Sequence, residues 1–88
     1  MKTILEIDSI YNPASGGTFF AGILTGNKEM FSKSLWVLTA DSKPAQEVTI
    51  TSEQWPDNHP GRRILVSETF YDKDDIPQGS RLELIRYL

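Results

Sequence analysis

The stretch TFFAGILT, residues Thr18–Thr25, is apolar on both of its alternating faces and has glycines at each end. Aromatic and β-branched residues favour strands, and a strand without a polar face is typical of the centre of a sheet or of a covered surface. Gly22 inside the stretch predicts a bulge or a sharp bend, as at the corner of a small barrel. The stretch therefore predicts a central strand of an all-β fold.

Similar runs of β-forming residues occur along the whole chain, separated by turn signals such as Asn12-Pro13, Ser42-Lys43-Pro44 and Pro60-Gly61. The six predicted strands are Thr3–Tyr11, Thr18–Thr25, Ser34–Ala40, Glu47–Ser52, Arg63–Phe70 and Ser80–Leu88. At most two short helical turns are expected, at Lys28–Phe31 and Ser52–Trp55. Strands at this spacing predict a small five- or six-stranded antiparallel barrel of the OB or SH3-like kind, with a compact β-sandwich as the alternative.

The composition predicts one soluble domain that spans residues 1–88, with a net charge of −3 and no cysteine. Without thiols the chain cannot form disulfides, thiolate metal sites or cysteine nucleophiles, and it fits a reducing compartment. No apolar run approaches the roughly 20 residues that a membrane span needs, and the acids near the N-terminus do not suit a signal peptide. We expect a cytoplasmic protein with no membrane partner.

Residue types suited to catalysis are scarce in this chain. The single histidine, His59, lies among turn residues, and there is no Gly-x-Ser-x-Gly nucleophile motif. The acidic cluster Asp72–Asp75 lacks the ligand spacing of a calcium loop, because Asp74 and Asp75 are adjacent, Lys73 intrudes, and Ile76-Pro77 follows. We therefore expect a protein that is not an enzyme and that needs no metal or cofactor.

The acidic loop and the aromatic residues near it predict a protein-binding surface. Trp55 lies outside the regular runs, where a tryptophan serves either as an exposed interface anchor or as a plug at the end of a barrel. The loop carboxylates would direct the surface toward a basic partner. The expected partner-binding residues are Trp55, Arg62, Arg63, Tyr71, Asp72, Asp74 and Asp75. The first hypothesis is a binding module, such as a small phage or mobile-element inhibitor of a host protein.

A single-stranded nucleic-acid binder with an OB-like fold is the alternative hypothesis. Such barrels combine aromatic stacking surfaces with cations along a groove, although an acidic balance counts against phosphate binding. If the fifth and sixth runs pair, their arginines would form one basic stripe beside aromatic rings. The residues of this alternative are Tyr71, Arg62, Arg63, Arg81, Arg86 and Tyr87.

Turn residues in the last third of the chain, Pro60-Gly61 and Gly79–Leu82, resemble those of the small single-stranded-DNA-binding proteins of filamentous phages. The resemblance extends to chain length and to the order of the runs, and it implies an OB-like barrel. This chain differs in being acidic and in lacking their aromatic-and-lysine hairpin. Turn residues of this kind occur in many β domains, so the resemblance assigns no family.

The two runs that are apolar on both faces predict a third role, as a subunit of a homo-oligomer. Phe19–Leu24 and Leu35–Leu38 would each be covered by the fold or by a second copy of the chain. Exposed apolar patches larger than those of ordinary monomers mark interfaces. We therefore expect a homodimer as one outcome.

Overall fold

The structure is a computed structural model that describes residues 2–26, 32–41, 43–54 and 61–88. Its regular elements are seven strands and one short 3₁₀ turn. They are β1 (Ile4–Tyr11), β2 (Thr18–Thr25), β3 (Ser34–Ala40), β4 (Lys43–Ile50), β5 (Ser52–Gln54), β6 (Arg62–Ser67), the 3₁₀ turn Lys73–Asp75 and β7 (Arg81–Tyr87). The prediction of an all-β fold is confirmed. Trp55, His59 and the predicted helical turn at Lys28–Phe31 lie outside the described residues.

The strands form one antiparallel sheet in the order β4-β3-β7-β1-β2-β6-β5. The two terminal strands of this order, β4 and β5, are separated in the chain by Thr51 alone, so the sheet must curl until its ends approach each other. The Thr51 amide donates to the carbonyl of Val66 at 2.8 Å, which fixes this junction against β6. Because β4 and β5 do not pair with each other, the sheet is open, and the predicted closed barrel or sandwich is not confirmed.

β1 and β2 form the hairpin at the middle of the sheet, as expected from the apolar stretch. Gly16 and Gly17 in the connecting turn have φ angles of +101° and +79°, which glycine adopts without steric cost. The pairing is irregular between Ile7 and Ser9, where β1 carries one extra residue. This bulge lies directly opposite Gly22, on the partner strand rather than in the glycine's own strand.

The core lies on the concave face of the curled sheet and is filled from most of its strands. Its central side chain is Trp36, whose indole N–H donates to the hydroxyl of Ser34 at 2.8 Å. The buried hydrophobic residues packed together are Leu5, Phe20, Leu24, Trp36, Leu38, Val48, Ile50, Leu65 and Leu82. Alternate residues of β2 and β6 supply Phe20, Leu24 and Leu65, as the two-residue period of a strand requires.

Three local predictions are wrong, each at a polar segment. β4 begins at Lys43 and includes Pro44, whereas the sequence predicts a turn at Ser42-Lys43-Pro44. An edge strand tolerates proline because a residue that faces its open side needs no backbone N–H for pairing. Ser52–Gln54 is a strand paired with β6 and not a helical turn. β6 ends at Ser67, three residues before the predicted end at Phe70.

The fifth and sixth predicted runs do not pair with each other. β6 pairs with β2 and β5, whereas β7 pairs with β1 and β3. β1 and β2 therefore separate β6 from β7 in the sheet. The acids Asp72–Asp75 belong to a long connection across the end of the sheet and not to a hairpin.

Candidate partner-binding cleft

A cleft of about 750 Å³ lies between the β3–β4 hairpin and the connection from β6 to β7, residues 68–80. Its walls combine apolar, aromatic and charged side chains. The lining residues are Leu38, Ala40, Lys43, Pro44, Ala45, Gln46, Phe70, Tyr71, Asp72, Asp75, Ile76, Pro77 and Ser80. Clefts of this size, mostly apolar with a few polar groups, are typical of binding sites.

The 68–80 connection is fixed to the fold by Thr18, a fully buried residue at the start of β2. The Thr18 hydroxyl accepts a hydrogen bond from the Tyr71 amide at 2.8 Å and donates to the carbonyl of Thr69 at 3.0 Å. The Thr69 amide in turn donates to the hydroxyl of Ser67 at 3.2 Å. The backbone on both sides of Phe70 is therefore hydrogen-bonded to β2 or β6.

Asn12, at the end of β1, makes the second attachment. Its side-chain amide donates to the carbonyl of Tyr71 at 2.9 Å and accepts from the Lys73 amide at 3.0 Å. The sequence predicts Asn12 only as a strand terminator. In the structure it also joins the β1–β2 hairpin to the start of the 3₁₀ turn, so that the acidic part of the connection has a defined position.

The Tyr71 ring closes the connection onto the core. Its centroid lies 6.1 Å from that of Phe20, with the two planes tilted by 52°. Its hydroxyl donates to the carbonyl of Glu47 on β4 at 3.4 Å. Aromatic pairs of this geometry add to the stability from buried area alone. Tyr71 therefore spans the cleft from the core to the edge strand.

Phe70 is exposed although its neighbours are fixed. Its exposed fraction is 60%, the highest among the large hydrophobic residues described as exposed. An apolar ring on a flexible loop can turn inward, but the hydrogen bonds at Thr69 and Tyr71 prevent the backbone rotation that this would need. Large apolar side chains presented on a rigid backbone are typical of interface anchors, because little entropy is lost on binding.

Charges of both signs lie along the cleft. The Asp72 carboxylate caps the 3₁₀ turn by accepting from the Asp74 amide at 3.0 Å. The Lys43 ammonium, on β4, reaches across to donate to the carbonyl of Asp75 at 2.7 Å. With Asp72 and Asp75 on one wall and Lys43 on the other, the carboxylates outnumber the cation. The cleft therefore favours a positively charged ligand.

The structure brings together only part of the predicted protein-binding set. Tyr71, Asp72 and Asp75 line the cleft, and Asp74 is exposed beside it on the 3₁₀ turn. Trp55 lies outside the described residues.

The two adjacent arginines point to opposite faces of β6. Arg62 is on the convex face, where its Nη2 lies 2.6 Å from the Asp8 carboxylate. Arg63 is buried on the core side and is paired with Glu53 at 3.1 Å. Neither side chain is in the cleft, so both are left out of the candidate site.

The residues of the nucleic-acid alternative are spread over the sheet. Arg81, Arg86 and Tyr87 are exposed on β7, which two strands, β1 and β2, separate from β6. Arg62 and Arg63 each already pair with a carboxylate. The basic stripe required the two runs to pair, and that pairing is absent.

Phe70 and Lys43 were not among the predicted site residues. Phe70 was placed inside a strand, and Lys43 inside a turn. A usable signal was present for Phe70: the polar pair Glu68-Thr69 interrupts the alternation that Arg63–Ser67 follows, which marks an earlier strand end.

No family model, curated protein or solved structure matches this chain. In the part of the chain that the structure describes, no three acidic or histidine side chains converge as metal ligands. Within the same residues, no helix is both long enough and apolar enough to span a membrane. The cleft geometry is therefore the basis for a functional assignment.

Proposed function

We propose that this protein is a non-enzymatic binding module that holds a basic segment of a protein partner in the cleft. The observation that carries the proposal is Phe70, an exposed aromatic side chain on a backbone fixed at both neighbouring residues. The scaffold is the curled, open antiparallel sheet, and its assignment to the small OB- or SH3-like type stays a prediction. Action as a phage or mobile-element inhibitor in the cytoplasm stays a prediction.

Replacing Phe70 with alanine is expected to abolish partner capture without affecting folding. Truncation of a central interface anchor costs at least about 2 kcal/mol, or roughly a 30-fold loss of affinity. Immobilised wild-type protein and Phe70→Ala would be incubated with lysate of the source cells, and retained proteins would be identified by mass spectrometry. Unfolding in urea should be nearly the same for both, since the ring is mostly outside the core.

Ile85→Ala is the matched control, because Ile85 is an exposed large hydrophobic residue (48%) on β7 that does not line the cleft. It should retain the partner. Equal retention by Phe70→Ala and Ile85→Ala would contradict the proposal, as would equal loss in both variants.

A homo-oligomeric role is the second candidate, favoured by an apolar row on the convex face. The strand register aligns Tyr11, Phe19 and Val66 across β1, β2 and β6, and Ile23 on the same face is 47% exposed. Phe19 and Ile23 belong to the outward-facing side of the apolar stretch Thr18–Thr25, which the fold does not cover completely.

If a second copy covers this row, light scattering should give twice the chain mass of 10.0 kDa. Tyr11→Arg and Ile23→Arg should each return the monomer mass, because a buried unpaired charge opposes association. Phe70→Ala should remain dimeric. A mass of one chain for the wild type across a wide range of concentrations would refute this candidate.

A further inference from the structure

We infer that the cleft selects an arginine side chain of the bound segment, in preference to lysine or to a neutral side chain. This inference rests on the proposed function and names the chemistry of its ligand. It follows from three features on the cleft walls: the exposed ring of Phe70 beside the half-buried ring of Tyr71, the carboxylates of the same cleft, and a carbonyl that already accepts a cation.

The aromatic wall suits a planar cation. Phe70 exposes most of its ring, and Tyr71 next to it is held by its amide, its carbonyl and its hydroxyl. A guanidinium stacks flat on an aromatic face and is less strongly hydrated than an ammonium, so it loses less on leaving water. Lysine would gain the charge interaction with the ring but not the planar contact.

The carboxylates of Asp72 and Asp75 line the same cleft as these rings. A guanidinium can donate several parallel hydrogen bonds to carboxylates or carbonyls while it remains stacked, whereas an ammonium acts as a point charge. The overall charge of −3 also favours the approach of a cation.

Lys43 shows that this wall accepts a positive charge. Its ammonium reaches the carbonyl of Asp75 at 2.7 Å, at the rim of the cleft. The same ammonium opposes a second cation in the cleft. Removing it should therefore strengthen arginine binding, which is opposite in sign to the effect of removing an aspartate charge.

The test uses four capped peptides of one length, Ac-Ala-X-Leu-X-Ala-NH2, in which X is arginine, lysine, citrulline or glutamate. Citrulline keeps the shape of arginine without its charge. Binding would be followed by the amide NMR shifts of the ¹⁵N-labelled protein up to millimolar peptide. We expect shifts at cleft residues with the arginine peptide, roughly two- to fivefold weaker affinity for lysine, and weaker binding still for citrulline.

Protein variants give the signs of the charge effects. Asp72→Asn and Asp75→Asn should each weaken the arginine peptide by roughly two- to fivefold. Lys43→Gln should strengthen it by about twofold, by the same range of pair energies. Glu6→Gln is the control, because it removes the same charge from an exposed residue of β1 that does not line the cleft.

Three outcomes would overturn the inference. The first is an arginine peptide that binds no more tightly than the lysine peptide or the citrulline peptide. The others are equal weakening of arginine-peptide binding by Glu6→Gln and by the aspartate variants, and the absence of amide shifts at cleft residues with any peptide. None of these affects the Phe70→Ala capture result, which tests the proposed function separately. Capture lost in Phe70→Ala together with equal peptide affinities would leave a protein-binding cleft that does not select arginine.

Discussion

Gly22→Ala is expected to unfold the protein or to cost it most of its stability, although it adds a single methyl group. A Cβ at this position would overlap the carbonyl oxygen of Glu6 and would lie 2.7 Å from the Glu6 carbonyl carbon and 2.9 Å from the Ile7 Cα. All three atoms are backbone atoms of β1, so no side-chain rotation can relieve the overlap. The β1–β2 pairing itself would have to separate at its bulge.

The loss should exceed about 4 kcal/mol, a size that single substitutions reach only through severe disruption of the core or backbone. For a small domain near the low end of the typical range, about 5 kcal/mol in total, such a loss would leave the folded state only marginally favoured. Urea titration followed by far-ultraviolet circular dichroism would measure the change. Where the variant is insoluble, the yield of folded protein gives the same answer.

Gly16→Ala separates steric overlap from backbone strain. Gly16 has a φ angle of +101°, but a Cβ there would have no heavy atom within 4 Å. Its substitution should cost only about 1–3 kcal/mol, the price of an unfavourable backbone conformation. Equal losses for Gly16→Ala and Gly22→Ala would contradict the close approach of β1 to Gly22.

Gly22 also shows what sequence reasoning can reach. A glycine in an apolar run predicts a bulge or a bend, and the bounds of Thr18–Thr25 and Ser34–Ala40 agree with β2 and β3. These strands were predictable because buried apolar runs between turn residues carry a strong local signal. The extra residue of the bulge, however, belongs to β1, and no local pattern there indicates it.

The polar strands were harder to predict for a physical reason. Lys43–Glu47 is exposed along its whole length, so burial imposes no alternation on its side chains. Ser52–Gln54 is a strand because its backbone pairs with β6, the next strand along the chain. Backbone pairing of this kind leaves little trace in the side chains of a short polar segment.

The cleft depends on contacts that are still more distant in sequence. The Thr18 and Asn12 side chains position Tyr71, and they are more than 50 residues away from it. The sequence could indicate that Tyr71 and its acidic neighbours lie on a loop. It could not indicate that the β3–β4 hairpin forms the opposite wall, because this follows from the strand order.

Glu53→Gln is the second substitution expected to have a large effect, about 3 kcal/mol of stability. The Glu53 side chain is fully buried and that of Arg63 is only 9% exposed. Arg63 Nη1 lies 3.1 Å and 3.2 Å from the two carboxylate oxygens of Glu53. Glutamine keeps the shape and one acceptor oxygen but removes the charge, and breaking a buried ion pair by removing one of its charges costs about 3–5 kcal/mol.

The two residues face each other because of the strand register. Glu53 lies opposite Leu65 on β6, and Arg63 is two residues before Leu65, so both side chains point to the core side of the sheet. The pair fixes β5, a strand of only three residues, against β6. Its loss should therefore affect the junction at Thr51 first, which hydrogen exchange at that amide would detect.

Replacing both partners with methionine is the decisive comparison. Two apolar side chains of similar length need no charge compensation, so Glu53→Met combined with Arg63→Met should recover most of the stability lost in either single variant. Glu83→Gln is the control, since it breaks the pair with Lys2, whose side chain is 76% exposed, and should cost less than about 1 kcal/mol. Urea unfolding of Glu53→Gln, the two single methionine variants, the double variant and Glu83→Gln would measure these differences. A double variant as unstable as the sum of its single variants would show that Glu53 and Arg63 act independently. Because Arg63 acts through this pair, its substitution would weaken partner binding only by destabilising the fold. Phe70→Ala, in contrast, would weaken binding in a stable protein.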